Sequence, residues 1–351
     1  MERLCYLSKN YPSTDGSGNK AKTDNEDTLA LMGAVNIANK RTGHRSKIAA
    51  FFVDLAGIAR YVCSVRKGDR IVLQYPHKKY FSFVCRVARW RGAKTITLIH
   101  DLGSFRRKRL TVEKEIGRLM NTDYVIASNE VMRQWLIDHG FSKPTGSLGL
   151  FDYRSKSESK DKTEHKVEAA TEGKGDLRIV YAGALSMRKN AFMLDMAKAT
   201  LPYQLHVFGN RNGLPEMQDN PQMIFHGFLP ADEFISTVDA DFGLVWDGDS
   251  TESCTGNFGE YLRYNSPHKV SFYLRAGLPV IIWRQAAVAP IIEREDVGFC
   301  IDSIDELQQL LPSLEQERIE TMRRNVRNLS DRLKNGAFLK AAVEKALSAL
   351  K

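Results

Sequence analysis

The most informative stretch of the chain is Asn265-Ser-Pro-His-Lys-Val-Ser-Phe-Tyr-Leu-Arg-Ala-Gly-Leu-Pro-Val-Ile-Ile-Trp283. Its pattern predicts a helix that leads directly into a buried strand. Ser266 is a favourable N-cap and Pro267 suits the first helical position. Gly277 then ends the helix, and Pro279 prevents it from continuing. A helix followed at once by a buried strand is typical of an α/β protein.

The start of this helix predicts an anion site. Its first backbone N–H groups, around His268 and Lys269, have no acceptor within the helix and attract phosphate, and Ser266 lies beside them. Lys269 lies in the same turn, where the helix dipole favours an acidic residue, so we interpret it as the partner of a bound anion. The alternative is an ordinary crossover with an incidental lysine.

Length and composition predict a soluble protein of two domains. The chain has 351 residues, of which 43% are hydrophobic and 26% charged. It has no apolar run long enough to span a membrane and no cleavable signal pattern. The five cysteines are scattered without a C-x-x-C pair, which is typical of reduced thiols. We therefore expect a cytoplasmic protein.

Positive charge is concentrated in the first half of the chain. The net charge is +9, with +12 on residues 1 to 152 and −3 on the remainder. A basic surface within residues 60 to 118, which includes the run Arg106-Arg-Lys-Arg109, fits an anionic membrane, a nucleic acid or a phosphorylated substrate. A solvated face without a partner is the alternative. We expect peripheral contact with the inner face of the membrane.

The order of apolar runs predicts an α/β fold with parallel, doubly wound sheets. Helical patterns at residues 24 to 39, 80 to 91 and 111 to 120 separate the runs of the first half. The predicted strands are Leu4 to Leu7, Ile48 to Val53, Ile71 to Gln74, Thr95 to Ile99, Tyr124 to Ala127, Ile179 to Ala182, Gln204 to Phe208, Phe242 to Trp246, Val280 to Trp283 and Phe299 to Ile301.

Composition also predicts the domain boundaries. Residues 1 to 152 form a first Rossmann-like domain, and residues 153 to 176 are almost entirely polar and form a linker. Residues 177 to 330 form a second Rossmann-like domain. The C-terminal helix, residues 331 to 351, is expected to return to the first domain.

Candidate functional residues follow the predicted strands, where ligands bind in open α/β sheets. The first such place is a glycine-rich loop, Asp15-Gly-Ser-Gly-Asn-Lys-Ala-Lys-Thr-Asp24, in which Thr23 and Glu26 form a capping-box pattern for the next helix. His100 and Asp101 follow another strand, and either side chain could act as a general base. The alternative is that they merely cap the following loop.

The segment Gly183-Ala-Leu-Ser-Met-Arg-Lys-Asn190 is a second candidate phosphate site. Gly183 allows the backbone to approach a phosphate closely, and Arg188 or Lys189 could neutralise its charge.

Several of these segments resemble bacterial sugar transferases with the GT-B fold, in which two Rossmann-like domains face each other across a cleft. The resemblance is carried by the following stretches: Ser17-Gly-Asn-Lys-Ala-Lys-Thr-Asp24, His100-Asp101, Tyr181-Ala-Gly-Ala-Leu-Ser186, Asn265-Ser-Pro-His-Lys269 and Arg275-Ala-Gly-Leu-Pro-Val-Ile281. The chain is most similar to the β-1,6-galactofuranosyltransferase group and to the related glucosyltransferase that acts on serine-rich adhesins.

The resemblance implies that the second domain holds the UDP of a donor sugar. Lys269 and the basic residue after Ser186 would bind its pyrophosphate. The family usually has Asn after the glycine of the Tyr-Ala-Gly turn and a shorter spacing to its cation, whereas this chain has Ala184. The choice between Arg188 and Lys189 therefore stays open.

The expected function is transfer of a hexose, galactofuranose or glucose, from a UDP-sugar to a saccharide acceptor during assembly of a surface polysaccharide or glycoprotein. The acceptor is lipid-linked or protein-linked. Asp101 is the expected catalytic base, with His100 as its neighbour or substitute.

No metal or other cofactor is expected. The sequence with most resemblance to the Asp-x-Asp motif of metal-dependent transferases is Asp247-Gly-Asp249, which we interpret as a turn. Lysine, arginine and a helix start can neutralise the leaving UDP instead.

The rival hypothesis is a non-catalytic basic protein that binds nucleic acid or anionic membrane, with Lys79-Tyr-Phe-Ser-Phe83 as an aromatic segment. The predicted anion sites lie in the acidic half of the chain, which argues against a nucleic acid partner. Whether the protein forms a homo-oligomer stays open.

Overall fold

The computed structural model describes residues 2–12, 17–76, 80–106, 110–160 and 177–351. The chain divides into two compact units. The N-terminal unit consists of Met1–Asp152 together with Asn335–Lys351, and the C-terminal unit consists of Tyr153–Lys334. Most of the predicted linker, residues 161–176, lies outside the described residues. Its first residues, 153–160, belong to the C-terminal unit.

The described part of the N-terminal unit contains a sheet of six parallel strands in the order β2-β1-β3-β4-β5-β6. The strands are β1 (Leu4–Tyr6), β2 (Val35–Asn36), β3 (Arg70–Tyr75), β4 (Lys94–Ile99), β5 (Tyr124–Ala127) and β6 (Thr145–Ser147). The helices between them are α1 (Ser17–Leu31), α2 (Lys47–Ser64), α3 (Phe81–Trp90), α4 (Gly103–Arg106), α5 (Val112–Leu119) and α6 (Glu130–Asp138). The predicted doubly wound α/β class is confirmed.

One predicted strand of this unit is wrong, because Ile48 to Val53 lie in helix α2. The Ser46 side chain caps that helix by accepting a hydrogen bond from the backbone N–H of Ala49 at 3.4 Å. Further along, Gly57, Ile58 and Tyr61 are buried at helical spacing. Burial along one helical face therefore outweighs the β preference of the apolar run.

The predicted capping box is also wrong. Helix α1 begins at Ser17, so Thr23 and Glu26 lie inside it. The Thr23 hydroxyl donates back to the Lys20 carbonyl at 3.0 Å. The Glu26 carboxylate is fully buried and accepts hydrogen bonds from the hydroxyls of Ser8 and Tyr11. Neither residue begins the helix, and Glu26 attaches it to the segment after β1.

The C-terminal unit repeats the architecture in its described residues, with six parallel strands in the order β12-β11-β10-β7-β8-β9. The strands are β7 (Arg178–Ala182), β8 (Gln204–Phe208), β9 (Met223–Phe225), β10 (Phe242–Val245), β11 (Val280–Trp283) and β12 (Gly298–Ile301). The helices are α7 (Met187–Asn190), α8 (Phe192–Lys198), α9 (Ala231–Thr237), α10 (Gly256–Gly259), α11 (His268–Arg275), α12 (Ala289–Arg294), α13 (Leu307–Ser313) and α14 (Gln316–Lys334). Single turns of 3₁₀ helix occur at Arg211–Gly213, Glu260–Arg263 and Ile304–Glu306.

The last helix, α15 (Ala337–Ala349), belongs to the N-terminal unit, in agreement with the predicted return of the C-terminus. Gly336 separates it from α14 with a φ of +71°, a left-handed conformation that glycine adopts readily. The buried side chains of Leu339 and Val343 then pack into the hydrophobic cluster that contains Ile126. Both Oδ atoms of Asp152 accept backbone N–H groups at the start of this helix.

The strand order locates one topological switch point in each sheet. In the C-terminal unit the chain moves outward from β7 to β8 and β9, and then returns to form β10 on the other side of β7. The chain therefore continues from β7 and from β10 in opposite directions along the sheet, which opens a crevice at the carboxyl ends of these two strands.

Candidate active site

Two loops converge at the switch point of the C-terminal unit. The loop after β7 begins at Gly183, and the loop after β10 contains Asp247 and Gly248. The backbone N–H of Gly248 donates to the Lys189 carbonyl at 2.7 Å, which ties the two loops together. Side chains from both loops can therefore act on one ligand.

Three charged side chains form what we call the Lys–Asp–Lys cluster: Lys189, Asp247 and Lys269. The Nζ atom of Lys189 lies 3.4 Å from Oδ2 of Asp247, and the Nζ atom of Lys269 lies 3.8 Å from Oδ1. One carboxylate thus pairs with two ammonium groups. The cluster has an excess of one positive charge when both lysines are protonated, so it attracts an anion.

Tyr181, at the end of β7, supports this cluster. Its hydroxyl donates to Oδ1 of Asp247 at 3.1 Å and accepts a hydrogen bond from the side-chain amide of Asn190. The Nζ atom of Lys269 lies 3.5 Å from the centre of the Tyr181 ring, a cation–π contact. Because Tyr181 is fully buried, it holds both the carboxylate and the ammonium group in defined positions.

Lys269 is in an unusual electrostatic state. Its side chain is only 12% exposed, and its buried Nζ atom has no hydrogen-bond acceptor within bonding distance. Burial, reinforced by repulsion from Lys189, lowers the pKa of Lys269 to about 7, although Asp247 opposes that shift. A buried ammonium group without an acceptor is costly, and a phosphate oxygen would supply the missing partner.

Gly183 gives a ligand access to Lys269. A Cβ atom placed on this residue would lie 3.8 Å from Cε and 3.9 Å from Nζ of Lys269. Its φ of +150° is also one that other residues rarely adopt. The absence of a side chain therefore leaves room beside the ammonium group.

Helix α11 begins one residue later than predicted. Pro267 is its N-cap, with an extended ψ of 124°, so His268 is the first helical residue and the buried Ser266 precedes the cap. The prediction that Ser266 caps the helix is wrong, because the extended Pro267 occupies the cap position itself. The His268 ring lies against Tyr153, with ring centres 4.8 Å apart. Lys269 keeps its predicted place in the first turn.

The geometry distinguishes Arg188 from Lys189. Both lie on the short helix α7, but the exposed guanidinium of Arg188 stacks over the Phe258 ring at 5.1 Å. Lys189 instead extends toward Asp247. Of the two cations, Lys189 is the one that shares a carboxylate with Lys269.

His100 and Asp101 directly follow β4 in the N-terminal unit, as predicted. Nε2 of His100 lies 2.8 Å from Oε1 of Gln74, and the imidazole stacks on the Phe151 ring with centres 4.9 Å apart. Asn25 also donates to Oε1 of Gln74, at 3.1 Å. His100 is thus held by groups on α1 and β3, and Asp101 is half-buried beside it.

Sequence reasoning did not identify three features of these candidate sites: the contacts of Tyr181, the contact of Gln74 with His100, and the charge pairing of Asp247 with two lysines. Asp247 was interpreted only as part of a turn, and Asp249 does accept a hydrogen bond from the Thr255 hydroxyl. The available signal for Asp247 was its place just after a strand. Its pairing with lysines from two other segments depends on the switch point, which no local pattern reveals.

The described residues contain neither a metal-ligand cluster nor a membrane-spanning helix. Nowhere in ranges 2–12, 17–76, 80–106, 110–160 and 177–351 do three His, Cys, Asp or Glu side chains come together in a way that could hold a metal ion. Over the same ranges, no helix has the length and apolar character needed to cross a membrane. Parts of the predicted basic surface within residues 60 to 118, namely residues 77–79 and 107–109, lie outside these ranges.

The chain is similar in sequence to known glycosyltransferases. It is 30% identical to the β-1,6-galactofuranosyltransferase WbbI of Escherichia coli K12 over 298 residues, which is 84% of each chain. It is 27% identical to glucosyltransferase 3 of Streptococcus gordonii over 288 residues, which is 80% of this chain and 79% of that one.

Solved structures share the fold. A glycosyltransferase from Rickettsia africae superimposes with a TM-score of 0.57 at 11% identity, covering 100% of this chain and 99% of the other. WaaG, a glycosyltransferase involved in lipopolysaccharide biosynthesis, gives a TM-score of 0.55 at 12% identity, covering 97% and 98%.

Two family models together account for most of the sequence. The N-terminal domain of the "Glucosyltransferase 3-like" family matches residues 4–150, and its C-terminal domain matches residues 179–346. The chain therefore belongs to the Glucosyltransferase 3-like family and is a glycosyltransferase with the GT-B fold.

Proposed function

We propose that this glycosyltransferase moves a hexose from a UDP-sugar to a saccharide acceptor in surface polysaccharide or glycoprotein assembly. The relatives are named for the transfer of galactofuranose and glucose, so we propose that one of these two sugars is the hexose transferred. The observation that carries the proposal is the Lys–Asp–Lys cluster at the switch point beside Gly183. A pyrophosphate matches its chemistry better than a neutral ligand does, since it brings the acceptor that Lys269 lacks.

The leaving UDP is proposed to bind in the C-terminal unit. As the glycosidic bond to the sugar breaks, negative charge grows on the β-phosphate oxygen. Lys269, Lys189 and the first N–H groups of α11 would stabilise that charge without a metal ion. Asp247 fixes the position of both ammonium groups before the ligand arrives, which reduces the reorganisation needed during the reaction.

The acceptor-side chemistry is proposed for the N-terminal unit. Asp101 is the proposed base that removes the proton of the attacking hydroxyl, with His100 as its neighbour or substitute. The basic character of this half suits an acceptor that carries phosphate, as a lipid-linked saccharide does. A lipid-linked acceptor would place the enzyme on the cytoplasmic face of the membrane.

The two basic residues of α7 provide a matched test of the UDP site. We expect Lys189→Ala to weaken UDP binding by roughly five- to twentyfold, about 1–2 kcal/mol for a partly exposed charged contact. Arg188→Ala should leave the affinity near wild type, because its guanidinium stacks on Phe258. Isothermal titration calorimetry in the presence of EDTA measures both affinities and shows whether binding needs a metal.

The result would contradict the proposed site if Arg188→Ala were the damaging change, or if neither variant lost affinity. GDP and TDP serve as comparison ligands in the same titrations. Tighter binding of either one than of UDP would contradict the proposed donor class.

UDP affinity should depend on pH near neutrality. The pKa of Lys269 is lowered to about 7 in the free protein, and a bound anion raises it, so binding takes up a proton above that pH. Affinity should therefore be highest below about pH 7 and fall by up to ~tenfold per pH unit as pH rises through the lowered pKa.

Lys269→Arg is the control for this dependence, because its guanidinium stays charged throughout that range. Calorimetry in buffers of different ionisation enthalpy measures the proton uptake directly. Equal affinity of the wild type on both sides of pH 7, without proton uptake, would contradict the role of Lys269.

A further inference from the structure

Helix α2 carries an exposed apolar surface that the sugar-transfer site does not use. Four large side chains of its N-terminal half are exposed: Ile48 by 72%, Phe51 by 42%, Phe52 by 62% and Leu55 by 42%. Their spacing of three and four residues places them on one stripe of the helix. We call this stripe the α2 apolar face. Its exposure contrasts with the C-terminal half of the helix, where Ile58 and Tyr61 are buried.

Basic residues surround the α2 apolar face. Between residues 40 and 60 the chain has one carboxylate and five cations, and all five cationic residues are exposed. These cations are Lys40, Arg41, Arg45, Lys47 and Arg60. The single carboxylate, Asp54, is only half exposed and accepts the backbone N–H of Asn10 at 3.4 Å. Arg41 pairs with Glu26 and Asp27 of α1. The other four cations still outnumber Asp54, so the segment combines large apolar side chains with an excess of positive charge.

The neighbouring helix α3 extends the same combination. The two helices are in contact, since the Tyr61 hydroxyl of α2 donates to the Val84 carbonyl of α3 at 2.8 Å. Helix α3 exposes Phe83 by 41% and Trp90 by 77%, and the Arg91 guanidinium lies 5.0 Å from the Trp90 ring. Tryptophan, phenylalanine and arginine are characteristic of protein surfaces at the membrane–water boundary.

We propose that the α2 apolar face inserts into the headgroup region of an anionic lipid bilayer, with the surrounding cations against lipid phosphates. Apolar side chains of an interfacial helix enter the boundary between headgroups and acyl chains, while flanking Lys and Arg add electrostatic attraction. A second copy of the chain fits less well. A symmetric contact through α2 would bring identical basic flanks together, in a half of the chain that carries +12.

The test is co-sedimentation of the full-length protein with vesicles of phosphatidylcholine alone or mixed with phosphatidylglycerol. The wild type should bind the mixed vesicles and bind pure phosphatidylcholine much more weakly. The double variant Ile48→Ser/Phe52→Ser should bind the mixed vesicles at least about tenfold more weakly. Arg45→Ser/Lys47→Ser should reduce binding by an amount that shrinks as salt increases.

Val131→Ser/Ile137→Ser is the matched control. These side chains are 40% and 39% exposed on α6 of the same unit, and their replacement should leave vesicle binding unchanged. UDP affinity should be unchanged in every variant, which verifies folding and separates this surface from the proposed function. The proposal is overturned if the wild type does not bind the mixed vesicles, or if Ile48→Ser/Phe52→Ser binds them as well as the wild type does. It is also overturned if light scattering shows that the wild type is a dimer and that Ile48→Ser/Phe52→Ser is a monomer, and if neither protein binds vesicles.

Discussion

Replacing Asp101 with asparagine should lower turnover by roughly 10²- to 10⁴-fold, the range contributed by a general base. If an α-linked donor yields a β-linked product, the acceptor hydroxyl attacks from the face opposite the UDP and must lose its proton. Asp101 directly follows β4, at the carboxyl end of the sheet where ligands of such folds bind. Asparagine preserves the shape and removes the basic oxygen. UDP affinity should stay near wild type, since the proposed UDP site lies in the C-terminal unit.

The measurement is kcat and kcat/KM as a function of pH, with Asp138→Asn on α6 as the control carboxylate. Asp138 accepts a hydrogen bond from Gln134 at the surface, and its replacement should not change turnover. Turnover within a few-fold of wild type would show that Asp101 is structural.

His100 is the next candidate in that event. The amide nitrogen of Gln74 donates to the Lys22 carbonyl at 3.0 Å, so its oxygen faces Nε2 of His100. In that contact Nε2 of His100 donates to the Gln74 oxygen. Glu260 is a weaker candidate, because it is paired with Arg263 at 3.0 Å on a turn of the C-terminal unit.

Replacing Lys269 with methionine should weaken UDP binding by about 10- to 150-fold, which corresponds to ~1.5–3 kcal/mol for a charge-assisted phosphate contact. Methionine keeps an apolar stem against the Tyr181 ring and removes the ammonium group, so the loss reports charge rather than packing. Asp247 retains its pair with Lys189 in this variant. Calorimetry with purified protein gives the affinity.

Uridine is the control ligand for this variant because it lacks both phosphates. Its affinity should be the same for wild type and Lys269→Met. An unchanged Kd for UDP would remove the pyrophosphate assignment. An equal loss for uridine and UDP would instead show that the substitution disturbed the whole site.

The C-terminal unit was largely predictable from sequence. Parallel strands are covered on both faces, so the strands of this unit appear in the sequence as uninterrupted apolar runs. The predicted and observed bounds agree within one residue for Gln204–Phe208 and Val280–Trp283. The predicted membership of the GT-B sugar transferases is confirmed by the family models and relatives. Lys269 was identified because a cation in the first turn of a helix conflicts with the local dipole, and such a conflict is visible without a structure.

The N-terminal unit was harder to predict, because two of its local patterns admit more than one structure. The run Ile48 to Val53 is apolar enough for a buried strand, yet it belongs to a helix whose apolar residues are partly exposed. Thr23 and Glu26 have the spacing of a capping box, yet they lie inside α1. Periodicity over a few residues does not distinguish these cases, since burial by distant segments decides them.

Local sequence was therefore enough to predict the fold class and to single out Lys269 as a candidate phosphate ligand, because apolar periodicity and helix-end chemistry act over a few neighbours. The family was predicted from the resemblance of several motifs to known sugar transferases. The tertiary structure alone decided that Lys189 rather than Arg188 joins Lys269 on Asp247, and that Gln74 orients His100. The paired side chains are between 22 and 80 residues apart in the sequence, and Arg188 and Lys189 differ only in their direction on one short helix. Their contacts arise from strand order and the switch point, which depend on how the whole sheet buries its two faces.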